Sequence, residues 1–322
     1  DVEPYYYELD PTKLEAAITK RTRAIMPVHL FGQPCDMAPI LEFAKRCQLA
    51  IIEDSCETMF VRYRGQMVGS WGEVSCYSTY VAHLLITGVG GLAATNDPDL
   101  AVAMKSLFNH GRDGVYLHID DDQGKTGQEL FDLVARRYRF VDVGYSYRAT
   151  ELEGALGLAA LDDYPKRLKR RQAIAARFSQ GFADLEHLIQ LPKIRPETEH
   201  AFMMYPIVVR DGDLSRDDLT NFLESRPRPI ETRQMLPLIN QPIYQKLFGE
   251  DLETKFPVAR WINTHGFYIG CHPELTDAEV DYMIAMIREF CQPYRSTRAK
   301  GKQQTAKGTD HHQPVSSAVP RT

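Results

Sequence analysis

Three kinds of residue in this chain could do chemistry by type and position. Glu53 and Asp54 close the apolar run Leu49-Ala50-Ile51-Ile52, so two carboxylates stand where a buried strand stops. His29 follows a second short apolar run, Ala24-Ile25-Met26-Pro27-Val28, and His83 lies just before the glycine-rich stretch Thr87-Gly88-Val89-Gly90-Gly91. Imidazole has a reference pKa of about 6.5, close to working pH, which suits histidine to proton transfer. Each feature also has a plainer explanation. Glu53-Asp54 can be a buried acid pair with local partners, and a lone His83 can be a packed histidine. The glycine stretch is not a Walker loop, lacks G-x-G-x-x-G spacing and precedes a strand rather than a helix.

The elements that would position these groups alternate in type. Asp10 and Pro11 open a helix through Leu14, Ala17 and Ile18, with Asp10 as N-cap. Ala24 to Val28 reads as a buried strand. Met37 to Cys47 carries Ile40, Leu41, Phe43 and Ala44 at helical spacing, and Leu49 to Asp54 reads as another buried strand. That order predicts a right-handed crossover and a parallel sheet, whose ligands bind at the carboxyl ends of its strands. His29 and Asp54 fall at such ends. Further strands are expected at Val74 to Tyr80 and Gly91 to Thr95, and a helix at Pro98 to Asn109. Asp120 to Gly127 reads as a polar, solvated loop. Glu151 to Phe182 reads as one long helix or a pair, and its basic run Lys166-Arg167-Leu168-Lys169-Arg170-Arg171 as a solvated face. A strand at Met204 to Val209, a helix at Arg216 to Glu224 and a closing helix at Asp277 to Phe290 suggest a smaller α+β domain. From Tyr294 onward the composition is that of a disordered tail.

Composition narrows the class. The 322 residues are 43% hydrophobic and 25% charged, which supports a large buried core. The net charge of -5 leaves no basic field for nucleic acid, and no run approaches a membrane span. Six cysteines without a C-x-x-C pair make neither a disulfide scaffold nor a zinc site, so no metal is expected and a reducing cytoplasm is the simplest compartment.

The order and spacing of several stretches resemble the DegT/StrS family of pyridoxal-phosphate-dependent nucleotide-sugar aminotransferases. The stretches are A-I-M-P-V-H-L-F-G-Q-P (Ala24 to Pro34), I-I-E-D-S-C-E (Ile51 to Glu57) and V-G-S-W-G-E-V-S-C-Y-S (Val68 to Ser78). T-G-V-G-G (Thr87 to Gly91), N-H-G-R-D (Asn109 to Asp113) and V-G-Y-S-Y-R-A-T-E-L-E-G-A-L-G (Val143 to Gly157) continue the series. The resemblance implies an α/β fold of type I: a large cofactor-binding domain over 1–165 with a mainly parallel sheet flanked by helices, a smaller C-terminal α+β domain over 166–293, and a tail over 294–322. It also implies a homodimer with shared active sites. Family members carry a further segment ahead of the point matching Asp1, with a phosphate loop and a ring-stacking aromatic, so a truncated chain is expected.

Roles carry over residue by residue as implications of that resemblance. Asp54 matches the carboxylate that pairs with the cofactor's ring nitrogen, and Cys56 the small residue beneath the ring. Glu57 replaces a glutamine beside the 3-hydroxyl, and Ser78 matches a serine that donates to the phosphate. Ser146 stands where an asparagine reaches the partner subunit's phosphate. His83 replaces the lysine that bonds to the cofactor in the aminotransferases. Histidine there is similar to the 3-dehydratase branch, which uses pyridoxamine 5'-phosphate, a 4-keto nucleotide sugar and glutamate as amine source, with the histidine as base. Arg233, in Ile230-Glu231-Thr232-Arg233, is a candidate for a substrate phosphate or the glutamate carboxylate, and equally for a surface ion pair. A transaminase that tolerates histidine is the alternative activity, and a non-catalytic relative the alternative class.

Overall fold

The computed structural model describes residues 1–113, 122–210, 212–235, 237–248 and 252–295. Its first sheet is built from β1 (Ala24–Ile25), β2 (Ala50–Asp54), β5 (Val74–Ser78) and β6 (Gly91–Ala94), and a hairpin of β3 (Arg62–Tyr63) and β4 (Gln66–Met67) stands beside it. The order is β1-β2-β5-β6. The first three strands run parallel, with Asp54 opposite Cys76, and β6 closes the edge antiparallel. The parallel sheet expected from the sequence is present. β1 is shorter than the apolar run because Pro27 has no N–H to give, yet pairing resumes beyond it. The Asp54 amide donates to the Pro27 carbonyl, and the His29 amide to the Asp54 carbonyl, each at 3.0 Å.

The helix Met37–Cys47 makes the crossover between β1 and β2. It buries Met37, Ile40, Phe43 and Ala44, the stripe that its spacing foretells. Gln48 ends it in the left-handed conformation (φ 53°), its amide returning to the last turn. Gly72 passes so close to β2 that a Cβ would lie 2.5 Å from the Ile51 carbonyl oxygen, so this approach requires glycine.

A second, antiparallel sheet has the order β7-β8-β10-β9, from β7 (Ile189–Gln190), β8 (Met204–Val209), β9 (Thr232–Gln234) and β10 (Gly266–Gly270). Every residue of β8 is buried. The helices Arg216–Glu224 and Asp277–Cys291 add Leu219, Leu223, Val280 and Ile287 to its core. Glu151–Phe182 is one helix, opened by a capping box between Thr150 and Glu153 and carrying Pro165 inside. Its second half buries Arg171, Ile174, Ala175, Phe178 and Phe182.

The basic run on that helix is a solvated face only at Lys166 and Lys169, which are exposed. Arg167 pairs with Glu274, Arg170 with Asp277, and Arg171 is buried. The polar stretch after Asp120 gives way to a helix, Gly127–Arg136, that its charge obscured; Asp120 and Asp121 lie outside the described residues. The expected tail does not begin at Tyr294, because Gln292–Arg295 forms a 3-10 turn; the rest lies outside the described residues. Among the described residues, no helix is long and apolar enough to cross a membrane.

Candidate active site

The pleat of β2 sends its two terminal acids to opposite faces. Glu53 points inward and is fully buried. Its carboxylate accepts from the amides of Gly69 at 2.8 Å, Trp71 at 2.6 Å and Gly72 at 2.7 Å, and His29 Nε2 lies 3.5 Å away. Burial alone would push this carboxyl up, but the nearby His29 imidazole and the bonds from the Gly72 and Trp71 amides together outweigh it and hold the group below its ordinary value. His29 is oriented at its other nitrogen, where Nδ1 accepts from the Cys35 amide at 3.0 Å.

Asp54 points the other way, toward the open end of the sheet. Its Oδ1 accepts from the Cys56 amide at 3.1 Å, and the Cys56 thiol lies against the same carboxylate. Burial, then a hydrogen bond to Asp54 and its charge, pushes the Cys56 thiol up to about 12, and burial with the Asp54 charge raises Cys76 on β5. Both sulfurs therefore remain thiols that pack around the carboxylate.

Glu57 is turned inward by the same loop. The Phe31 amide donates to its carboxylate, and Phe31 adopts the left-handed conformation (φ 58°) to do so. That conformation is held by an edge contact of the Phe31 ring with Tyr7 at 5.8 Å and a tilted one with Tyr268 at 5.9 Å. Gly32 (φ 100°) completes the turn, pressed against the backbone at Phe202. Burial raises the Glu57 carboxyl to about 7; the Phe31 amide opposes the shift and the Asp54 charge adds to it.

His83 sits on the loop after β5. Its Nδ1 is 2.8 Å from the carbonyl oxygen of Cys56. A carbonyl only accepts, so Nδ1 carries the proton and the neutral ring keeps its lone pair at Nε2. Leu84 and Leu85 are buried beside it and anchor the loop, and Thr87 Oγ1 donates to Thr79 Oγ1 at 2.7 Å beneath it.

Glu57, Tyr80, His83, Arg171, Arg233 and His272 line one cavity of about 720 Å³ between the two sheets. Asp54 and Cys56 join this group through the hydrogen bonds just described, and Ser78 stands five residues before His83 at the end of β5. Ser146 does not join it. It bridges to Asn109 on an exposed loop, where Val143 and Tyr147 are also exposed. Arg233 lines the cavity from β9, but its guanidinium is paired with Glu231. The plainer reading of Glu53 as a buried acid with local partners holds, with His29 beside it behind Asp54. One feature escapes the sequence reading: Arg171 enters the cavity from the basic run. The spacing of Arg171, Ile174, Ala175, Phe178 and Phe182 already put that arginine on an apolar stripe. Among the described residues no cluster of three or more His, Cys, Asp or Glu side chains is disposed to hold a metal.

Residues 1–288 match the model of the DegT/DnrJ/EryC1/StrS aminotransferase family. The chain belongs to this family. A GDP-perosamine synthase of Caulobacter vibrioides is 35% identical over 289 residues, 89% of this chain and 71% of that protein. A dTDP-4-dehydro-2,6-dideoxy-D-glucose 3-dehydratase of Saccharopolyspora spinosa is 31% identical over 303 residues, 90% of this chain and 64% of that protein. Among solved structures, a Streptococcus pneumoniae protein described as a sugar aminotransferase, in its PMP form, superposes with a TM-score of 0.79 at 25% identity, over 91% of this chain and 75% of that one. The family thus contains both amine transfer and 3-dehydration, and both share the α/β architecture found here.

Proposed function

We propose that this protein is a nucleotide-sugar 3-dehydratase that works with pyridoxal 5'-phosphate and pyridoxamine 5'-phosphate, with His83 as its base and glutamate as the amine source. The observation that carries the reading is the orientation of His83, whose Nδ1 faces the Cys56 carbonyl and leaves Nε2 as the nitrogen that can accept a proton, at a cavity containing no lysine among its lining residues.

The residues fit such a cofactor. Asp54 presents a carboxylate with no cationic partner at the open end of the sheet among the described residues, which suits a protonated ring nitrogen. Cys56 supplies a small, uncharged surface next to it, and Glu57 a carboxyl poised between donor and acceptor for the 3-hydroxyl. The Ser78 hydroxyl, at the end of β5, is available to a phosphate. When bound, the cofactor supplies an electron sink for a carbanion.

The chain's own work is to position groups and move protons. The Cys56 carbonyl fixes the His83 ring, so Nε2 can take a proton and return it to a departing hydroxyl. Asp54 holds positive charge at the ring nitrogen, and the Glu53–His29 clamp holds the strand end that carries Asp54. Arg233 is assigned to the substrate phosphate or to glutamate, although Nη2 is paired with Glu231 and Nη1 donates to the Thr232 carbonyl at 2.9 Å, so that pairing would have to be exchanged for the ligand.

A homodimer with shared sites is part of this reading. Val143 is 83% exposed, Tyr147 72% and Leu158 71%, and all four residues of β6 are exposed, an apolar face suited to a second copy. Ser146 lies on that face and would reach the partner's phosphate. Six free cysteines support a cytoplasmic site of action.

Aminotransfer is the second reading, favoured by the similarity to the perosamine synthase. Incubation with pyridoxamine 5'-phosphate, glutamate and GDP-4-keto-6-deoxymannose, followed by proton NMR of the sugar, separates the two. Loss of the C3 hydroxyl supports dehydration. A 4-amino sugar with the C3 hydroxyl retained overturns it in favour of aminotransfer.

A further inference from the structure

Arg171 is 4% exposed and has no carboxylate partner among the described residues. A guanidinium taken out of water is costly unless its charge and its donors are met. Here only one nitrogen is met. Nη1 donates to the carbonyls of Phe202 at 3.3 Å, Met203 at 2.9 Å and Cys271 at 3.1 Å. These carbonyls stand just before β8 and just past the end of β10, so they hold the guanidinium between two strand ends. Among the described residues Nε and Nη2 carry no hydrogen bond, and they belong to a side chain that lines the cavity.

The acids of the cavity do not answer this charge. Glu231 is paired with Arg233, Glu279 with Arg228, and Glu57 accepts from the Phe31 amide. Next to the Cys271 carbonyl, His272 also lines the cavity. Its Nδ1 accepts from the Glu274 amide at 3.3 Å, which leaves the proton on Nε2.

We propose that the Nε–Nη2 edge of Arg171, together with His272 Nε2–H, forms an oxyanion subsite in this cavity for a carboxylate or phosphoryl group. A guanidinium edge presents two parallel N–H groups, the geometry that carboxylate and phosphate oxygens match in pairs. The three carbonyls fix that edge in advance, so little side-chain freedom is lost when an anion arrives. Assigning the anion to the diphosphate of a nucleotide sugar or to the carboxylate of glutamate rests on the function proposed above; the binding itself does not.

The test needs no cofactor and no turnover. The full chain is titrated calorimetrically at low salt with inorganic pyrophosphate and, separately, with glutarate. Saturable binding of either is expected at one site per chain. A pyrophosphate preference identifies the phosphoryl source and a glutarate preference the carboxylate source. Arg171→Gln should weaken binding by about 10- to 100-fold, the loss of one charge-assisted pair. Because that change also removes three carbonyl contacts, Arg171→Lys and His272→Gln are titrated alongside, each with a thermal melt to confirm folding. Both should bind several-fold more weakly than the parent. Failure of both anions to saturate the parent, or parent-like affinity in both of these folded variants, overturns the subsite. Neither result bears on His83 chemistry, so this proposal and the proposed function fail separately.

Discussion

His83 Nδ1 and the Cys56 carbonyl oxygen are 2.8 Å apart, and this single bond decides which nitrogen of the ring is basic. Because Cys56 immediately precedes Glu57 and follows Asp54 by two residues, the same short loop sets the base and its two carboxylates. His83→Gln should therefore lower dehydration by about 10²- to 10⁴-fold, the usual contribution of a positioned base. Cofactor affinity, read by fluorescence titration, should change little. Turnover within a few-fold of the parent would remove His83 from the chemistry.

Asp54→Asn tests the charge at the ring nitrogen. Asparagine keeps the size and can still accept from the Cys56 amide, so the melting temperature should stay close to the parent's. Turnover should fall by several powers of ten, because a neutral amide cannot hold the proton that makes the ring an electron sink. Activity measured on the folded variant decides it; survival within a few-fold would contradict the assignment.

Glu57 predicts a pH dependence whose sign can be worked out. Its carboxyl is raised from 4.5 to about 7 by burial. A raised folded value means that the native state holds the proton more tightly. The stabilisation is therefore full below about 4.5 and is lost as pH rises through about 7. The shift corresponds to roughly 3 kcal/mol. Glu57→Gln, which cannot ionise, should melt higher than the parent at pH 8 and show a smaller difference at pH 5. Parallel melting curves across that range would show that the group titrates normally.

Glu53 has the opposite sign. Its carboxyl is held below 4.5, so the stability it confers is present above the unfolded value and is lost as pH falls through the folded one. Glu53→Gln places an amide NH₂ against a cluster of backbone N–H donors in a site without water contact. It should cost about 3–5 kcal/mol by urea denaturation. A loss under 1 kcal/mol would mean that the turn at Gly69–Gly72 holds itself.

How much of this was legible in the sequence depended on the range of the signal. Met37–Cys47, Met204–Val209 and Arg216–Glu224 were readable to the residue, because each is an uninterrupted periodic or apolar run. β10, Gly266–Gly270, was not, because five residues bounded by glycines carry too little pattern and gain their meaning only by pairing on both sides. In the candidate site, Asp54, Glu57 and His83 were singled out by the resemblance of their stretches to the family. The clamp of Glu53 by three amides from Gly69 to Gly72 could not be found, since backbone donors leave no mark in side-chain type. Arg171 was hidden by its neighbours. Five charged or polar side chains around it read as surface, and only the helical stripe it shares with Ile174 and Phe178 separates it from them.

The central claim is that the protein holds its cofactor without a covalent bond at position 83, and reduction tests it most directly. The chain is mixed with pyridoxal 5'-phosphate, treated with borohydride, digested and mapped by mass spectrometry, in parallel with His83→Lys. The parent should bind the cofactor yet show no stable phosphopyridoxyl group on any residue of the site, and the lysine variant should gain one at position 83. A stoichiometric adduct on a lysine of the parent, or a folded lysine variant that gains none, would contradict the account.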